Sequence, residues 1–120
     1  MIETAIYSVL SADTTITAAT SSRIYPVVMP QNVVFPAITY QRINSNPVND
    51  LGGYSNLTNP HIAVNCWATR YDEAKELAED VHDAINTATA FKAILINDMD
   101  GYDPDTGLFF VSQDFSCWSQ

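Results

Sequence analysis

Asn59-Pro60-His61-Ile62-Ala63-Val64-Asn65-Cys66-Trp67-Ala68-Thr69-Arg70, running straight on into Tyr71-Asp72-Glu73-Ala74-Lys75-Glu76-Leu77-Ala78-Glu79-Asp80-Val81-His82-Asp83-Ala84-Ile85, decides the fold. In the first half Ile62, Val64 and Cys66 face one way while Ala63, Asn65 and Trp67 face the other, the period of two of a half-buried strand over residues 60–68. In the second half Ala74, Leu77, Ala78, Val81, Ile85 and Ala88 recur at helical spacing and make a continuous apolar stripe. Thr69 or Asp72 stands where an N-cap belongs, and the acids of the first turn complement the helix dipole. The alanines of the stripe let the helix approach a sheet closely. A strand and a helix that lies back on it are the nucleus of the expected fold.

Toward the start of the chain, Ile6, Val9 and Leu10 share one face of a short opening helix, and residues 11–16 continue it or begin a second turn capped at Asp13. Residues 17–34 are β-branched and small, with Pro26 and Pro30, and read as an extended arm over the body. Phe35 opens a strand to Asn44, with Ile38 and Tyr40 alternating against Thr39 and Gln41. From Asn44 to Gly53 the residue types favour a bend or a loose tip, and 51–58 hold at most a short returning strand. Beyond the main helix, residues 91–96 and 108–118 read as strands, the second with Phe109, Val111, Phe115 and Cys117 on one face, joined by a loop over 97–107. The expected fold is therefore α+β: one domain over 1–120, an antiparallel sheet of four to five strands, a short N-terminal helix and one main helix on one face.

Composition narrows the function classes. A hydrophobic fraction of 47% with 16% charged residues belongs to an ordered globular chain. No apolar run approaches the ~18 residues of a membrane span. Met1-Ile2-Glu3-Thr4 lacks the positive charge that opens a signal peptide, so the chain is expected to stay in the cytosol where it is made. Fourteen acidic residues against five basic ones give a net charge of −9, which repels a phosphate backbone and argues against nucleic-acid binding. Arg23, Arg42, Arg70, Lys75 and Lys92 are scattered and form no stripe.

Motifs for chemistry are weak. Asp98, Asp100, Asp103 and Asp105 invite a calcium reading, but Tyr102 falls where an EF-hand needs an oxygen ligand, and Phe109 where it needs glutamate. Asp-Gly and Pro-Asp-Thr-Gly explain the cluster as turn chemistry. His82 reads as a solvated helix-face residue and His61 opens a strand; neither stands in a pattern with a nucleophile. Cys66 and Cys117 lack metal-ligand spacing and read as small buried hydrophobes. Neither a phosphate-binding glycine loop nor a dinucleotide fingerprint occurs. No catalytic residue, cofactor or metal is expected.

Taken in order, Arg23-Ile24-Tyr25-Pro26, Pro30-Gln31 before Phe35-Pro36, the strand to Arg42, Val64-Asn65-Cys66-Trp67-Ala68, the helix over 74–85 and the closing Asp105-Thr106-Gly107-Leu108-Phe109 form a set. That set, over about 23–118, resembles a family of small tail-completion proteins of long-tailed bacteriophages and prophages. The resemblance implies a structural virion protein that closes into a ring with its own subunits, six-fold in the family. The ring ends the tail tube and offers a face to the head's neck or stopper proteins. DNA passes through its channel without sequence-specific binding, no membrane is involved, and the location is the head–tail junction of a virion assembled in the bacterial cytoplasm. Many relatives carry a more basic set after the closing Thr-Gly, where this chain has the apolar Leu108-Phe109-Phe110-Val111. The candidate partner-interface residues are Leu51, Tyr54 and Leu57, spaced apolar anchors in a polar tip, with Tyr102 and Phe110 of the last hairpin. The alternatives are a neck or head-completion stopper, and a small cytosolic ligand-binding domain, which needs a pocket with convergent polar groups.

Overall fold

In the computed structural model, residues 2–50, 53–89 and 91–118 are described, the side chains of 44–50 and 53–59 excepted. The element order is α1 (Ile2–Ala12), α2 (Thr14–Thr20), β1 (Ile24–Pro26), β2 (Ala37–Asp50), β3 (Gly53–Ala68), α3 (Tyr71–Asn86), β4 (Lys92–Asp103) and β5 (Leu108–Trp118). The strands form one open sheet in the order β1-β2-β3-β5-β4. All pairings are antiparallel except β1 with β2, which is parallel. The expected α+β architecture holds, with the helices gathered on one face of the sheet.

The strand and helix that open the sequence argument form the centre of the core. Ile62, Val64, Cys66 and Ala68 of β3 lie beneath Ala74, Leu77, Ala78, Val81 and Ile85 of α3, all buried. Ile38 and Tyr40 of β2, Val111 and Phe115 of β5, and Ile6 and Leu10 of α1 complete the same cluster. Both cysteines are buried there, and burial pushes their thiols up, that of Cys117 to about 11. Gln113 enters this layer from β5 and donates its amide to the Ala78 carbonyl of α3 at 3.1 Å, while its Oε1 is buried with no partner among the described residues.

Several local expectations give way. The turn expected to be capped at Asp13 forms, its carboxylate accepting from the Thr15 and Ile16 amides at 3.0 and 3.1 Å, but the helix runs on to Thr20, into residues where an extended arm is expected. Of the expected arm only β1 is strand, and it joins the sheet; Ser21, Ser22, Val27 and Asn32 take positive φ in the turns and bends around it. α3 takes neither proposed N-cap. Arg70 occupies that position with no side-chain cap bond, and Asp72 sits inside the first turn, accepting from the Glu73 amide. His82 is not simply solvated, since its ring lies half-buried 6.2 Å from that of Phe115.

The two largest corrections concern strand length. Residues 44–50 are not a turn cluster: β2 runs on to Asp50 and β3 begins at Gly53, paired down to Asp50↔Gly53, while the expected turn at 51–52 lies outside the described residues. The presumed loop 97–107 is mostly strand as well. β4 continues through Asp103, paired residue by residue with β5, and only residues 104–107 turn. That turn closes with the Gly107 amide on the Asp103 carbonyl at 2.8 Å, and Gly107 has φ of 73°, a conformation that suits glycine.

Candidate functional site

The sheet carries helices on one face only, and its edges and far face are what the chain offers to other molecules. Three features stand out, each produced by a specific mismatch in strand length.

The first is a projecting arm. β5 pairs with β3 only from His61 to Ala68, and β1 covers β2 only at Ile38, Thr39 and Tyr40. Beyond those limits β2 and β3 pair with each other alone, so a two-stranded ribbon leaves the body and gives a long axis of 51 Å against 29 and 23 Å. Pro47 is tolerated in this ribbon because β2 has no outer neighbour there to receive an amide bond. Pro60 falls at the last β3 position before β5 pairing begins, where its missing N–H costs the sheet nothing. A two-stranded ribbon alone is marginal in water and is stabilised by packing on something else.

The second is the edge strand β4. Twelve residues long, it is paired on one side only. Ile94, Ile96, Met99 and Tyr102 on it are all more than half exposed. Lys92, Asp98, Asp100 and Asp103 punctuate the strand with charge, as natural edges commonly are guarded, and the exposed apolar side chains lie between them. Ile96 is the bulged residue of the β4–β5 ladder, which shifts register between Leu95 and Asn97.

The third is the far face of the sheet. Phe110 and Trp67 lie opposite each other across β5 and β3 with ring centroids 5.1 Å apart, and the Trp67 indole donates to the Thr39 hydroxyl at 3.1 Å. The Phe110 ring covers Gly101 of β4, where a Cβ would fall 2.2 Å from its Cζ. Only glycine admits that contact.

The aspartates are distributed rather than gathered. Asp100 accepts from the Tyr71 hydroxyl at 2.6 Å and pairs with Lys75 at 3.4 Å, tying β4 to the first turns of α3. The Tyr71 hydrogen bond, with help from Lys75, holds the Asp100 carboxyl below its usual range and raises the Tyr71 hydroxyl. Asp103 accepts instead from the Asp105 amide in the turn. Among the described residues no group of three or more histidine, cysteine or acidic side chains is placed to hold a metal ion. Exposed acids do collect on α3, at Asp72, Glu76, Glu79 and Asp83. Asp80 among them is raised by burial first, then by Asp13, Asp83, Glu76 and Glu79.

The chain matches the family described as tail completion protein gp17 over residues 4–120. It belongs to that family. A solved structure described as the virion of a native gene transfer agent particle has a chain with the same fold, at a TM-score of 0.72 and 18% identity, covering 94% of this chain and 90% of that one. No curated protein matches by sequence. As a tail completion family member the chain is a structural protein of phage-like virions.

The interface residues named from sequence fall on these surfaces unevenly. Tyr102 stands on the β4 edge, 53% exposed, against Phe109 at 4.8 Å. Phe110 is half-buried on the far face, held between Trp67 and Gly101. Tyr54 and Leu57 belong to the arm through β3, with side chains outside the description, and Leu51 lies outside the described residues. Sequence reasoning missed Ile94, Ile96 and Met99. Ile94 and Ile96 pass for core residues of a short strand, and only the strand order reveals that β4 is an edge.

Proposed function

We propose that this protein closes into a ring with copies of itself, ends the tail tube and joins the tail to the head, without catalysis. The observation that carries the reading is the arm. A ribbon that leaves its own sheet and has no third strand gains packing only by lying on a neighbour, and a repeated arm-on-neighbour contact is a head-to-tail interaction of the kind that closes rings. The exposed apolar side chains along the β4 edge support the same reading, since they supply a receiving surface on every copy. Leu51, Tyr54, Leu57, Tyr102 and Phe110 are proposed as contact residues. Tail tube protein and a neck or stopper protein are the proposed partners. Six-fold symmetry comes from the family resemblance.

Charge fits a channel. Six chains at −9 sum to roughly −54, and like charge focused along a narrow passage keeps DNA from adhering as it slides. The exposed acids of α3 and those of residues 98–105 are the proposed lumen or rim set.

Deletion of residues 46–56 tests the assignment. The shortened chain is expected to fold, because the core lies wholly in the body, yet to leave tails without heads when particles are viewed by electron microscopy. A well-folded deletion variant that still completes tails would remove the arm from the argument. Reversing the lumen acids to lysine should allow assembly but slow DNA release, and unchanged release would reduce the acidity to a matter of solubility.

A further inference from the structure

Between α1 and the uncovered edge of β2 lies an open cavity of about 720 Å³, lined by Glu3, Tyr7, Val27, Tyr40, Arg42 and Ile43 among others. It sits just where β1 leaves off, and the Val27 amide makes the last bond to β2, on the Tyr40 carbonyl at 2.8 Å. Two features make it a socket for a cation. Glu3 Oε1 is buried and has no hydrogen-bond partner among the described residues. The rings of Tyr7 and Tyr40 stand beside it, 6.3 Å apart and tilted by 40°, presenting faces that attract a positive charge. Arg42 shares the cavity, but no ion pair joins it to Glu3 among the described residues. The Tyr40 hydroxyl is raised by burial first, and then by Tyr7 and Glu3.

The chain's own cations show what fits. Arg23 donates to the Pro36 carbonyl at 3.2 Å, Arg70 pairs with Asp72 and Glu73, Lys75 pairs with Asp100, and Arg42 is already in the socket. Lys92 is left, exposed and without an ion pair among the described residues. It opens β4, directly across the ladder from Trp118, with Ile94 next on the same face; both neighbours are exposed, Ile94 at 60%. Together they make a patch of one cation flanked by two large apolar groups. The socket offers one carboxylate oxygen flanked by aromatic rings and the exposed Val27 and Ile43. The two patches lie on opposite flanks of the sheet, one beside β1 and β2 and the other on β4. Complementary patches on opposite flanks cannot satisfy each other within one chain, and between chains they make the head-to-tail contact that a ring repeats.

We infer that the Glu3–Tyr7–Tyr40 socket of each copy receives Lys92 of the next, with Ile94 and Trp118 packed against its apolar rim. This rests on the ring reading above and specifies its contact.

Two single-cysteine-substituted chains test it, Glu3→Cys and Lys92→Cys, mixed under mild oxidation. The native Cys66 and Cys117 are buried, so neither supplies a competing thiol. A disulfide-linked dimer should form in the mixture and not in either chain alone. Sedimentation of Glu3→Lys and Lys92→Glu should show self-association weakened at least tenfold for each, and recovery in the double exchange. Glu3→Gln serves in place of Glu3→Lys if the latter does not fold. Arg42→Gln, which removes a like charge from the socket, should not weaken association. If the wild-type chain forms a closed oligomer but the mixture gives no linked dimer and the reversals change nothing, this contact is wrong and the ring stands. If no self-contact forms either in solution or in completed particles, the ring fails, and the contact with it.

Discussion

Replacing Gln113 by methionine should leave the protein as stable as before or more stable by about 1 kcal/mol. The glutamine is 3% exposed, in the apolar layer between β5 and α3. Its Nε2 bond to the Ala78 carbonyl is worth about 0.5–1.5 kcal/mol net. Against this stands the buried, unpartnered Oε1, whose desolvation costs about 1–3 kcal/mol. The Ala78 carbonyl is not orphaned by the change, because it lies inside α3 and keeps its place in the helix ladder. Methionine has similar length and volume and fills irregular gaps readily, so little packing is lost. Gln113→Glu has the opposite sign. It deletes the donor and turns a carboxylate toward a carbonyl in a dry layer, which should cost about 3 kcal/mol or more at neutral pH. The buried carboxyl would have a folded pKa above its unfolded value. The penalty is therefore full above the folded pKa and is relieved as pH falls through it. Urea unfolding followed by tryptophan fluorescence, at pH 7 and pH 4.5 with the denaturant slope checked for constancy, measures both variants. A methionine variant less stable by more than 1 kcal/mol, or a glutamate variant whose loss ignores pH, would refute the reasoning.

Other substitutions probe the same framework. Leu77→Ala, in the centre of the α3 stripe, should cost about 2–5 kcal/mol. Exposed Glu79→Ala should stay within about 0.5 kcal/mol, and equal losses in denaturant melts would mean the wrong helix face has been assigned. Asp80→Asn should raise the melting temperature at pH 7, because the folded state holds that carboxyl above its ordinary value. The gain, below about 1 kcal/mol for so exposed a group, should vanish as pH falls through the folded pKa, and a gain that persists at pH 3 would reject the charge explanation. Gly101→Ala should drive the Phe110 ring off β4 and cost about 1–3 kcal/mol, visible by calorimetry as a lower melting temperature. Phe110→Leu should relieve part of that loss, and no relief would show that the ring is not the obstacle.

Sequence legibility followed how strongly each segment is tied to the core. β3 and α3 were readable because each buries one continuous face, which writes a clean period into Ile62–Val64–Cys66 and Leu77–Val81–Ile85. The start of α2 was legible in its Asp13 cap, but its extension to Thr20 was hidden because the threonines of 14–20 are poor helix formers, and the cap together with the burial of Ile16 overrides their preference. The outer half of β4 was hidden for a related reason: Asp98, Asp100, Gly101 and Asp103 are turn formers, yet pairing with β5 keeps them extended. In the arm, neither strand lies over the core, so no alternation was needed to specify it, and Asn, Pro and Gly read as a turn. Of the candidate surface, Tyr102 and Phe110 were legible as apolar residues near a turn. The edge they stand beside was not, since strand order is a tertiary fact.

β5 follows every other strand in chain order, yet it takes the second place from the β4 side, between β3 and β4. Until residues 108–118 arrive, β3 and β4 are strangers, and β4 has nothing to be the edge of. Gly101 has no Phe110 to cover it, and Lys92 no Trp118 beside it. A chain still being synthesised therefore cannot display the β4 surface, whatever the rest of it has already folded into. Under the ring proposed above, the placement of one strand becomes an inspection step: only a chain folded through β5 offers the β4 surface to a neighbour.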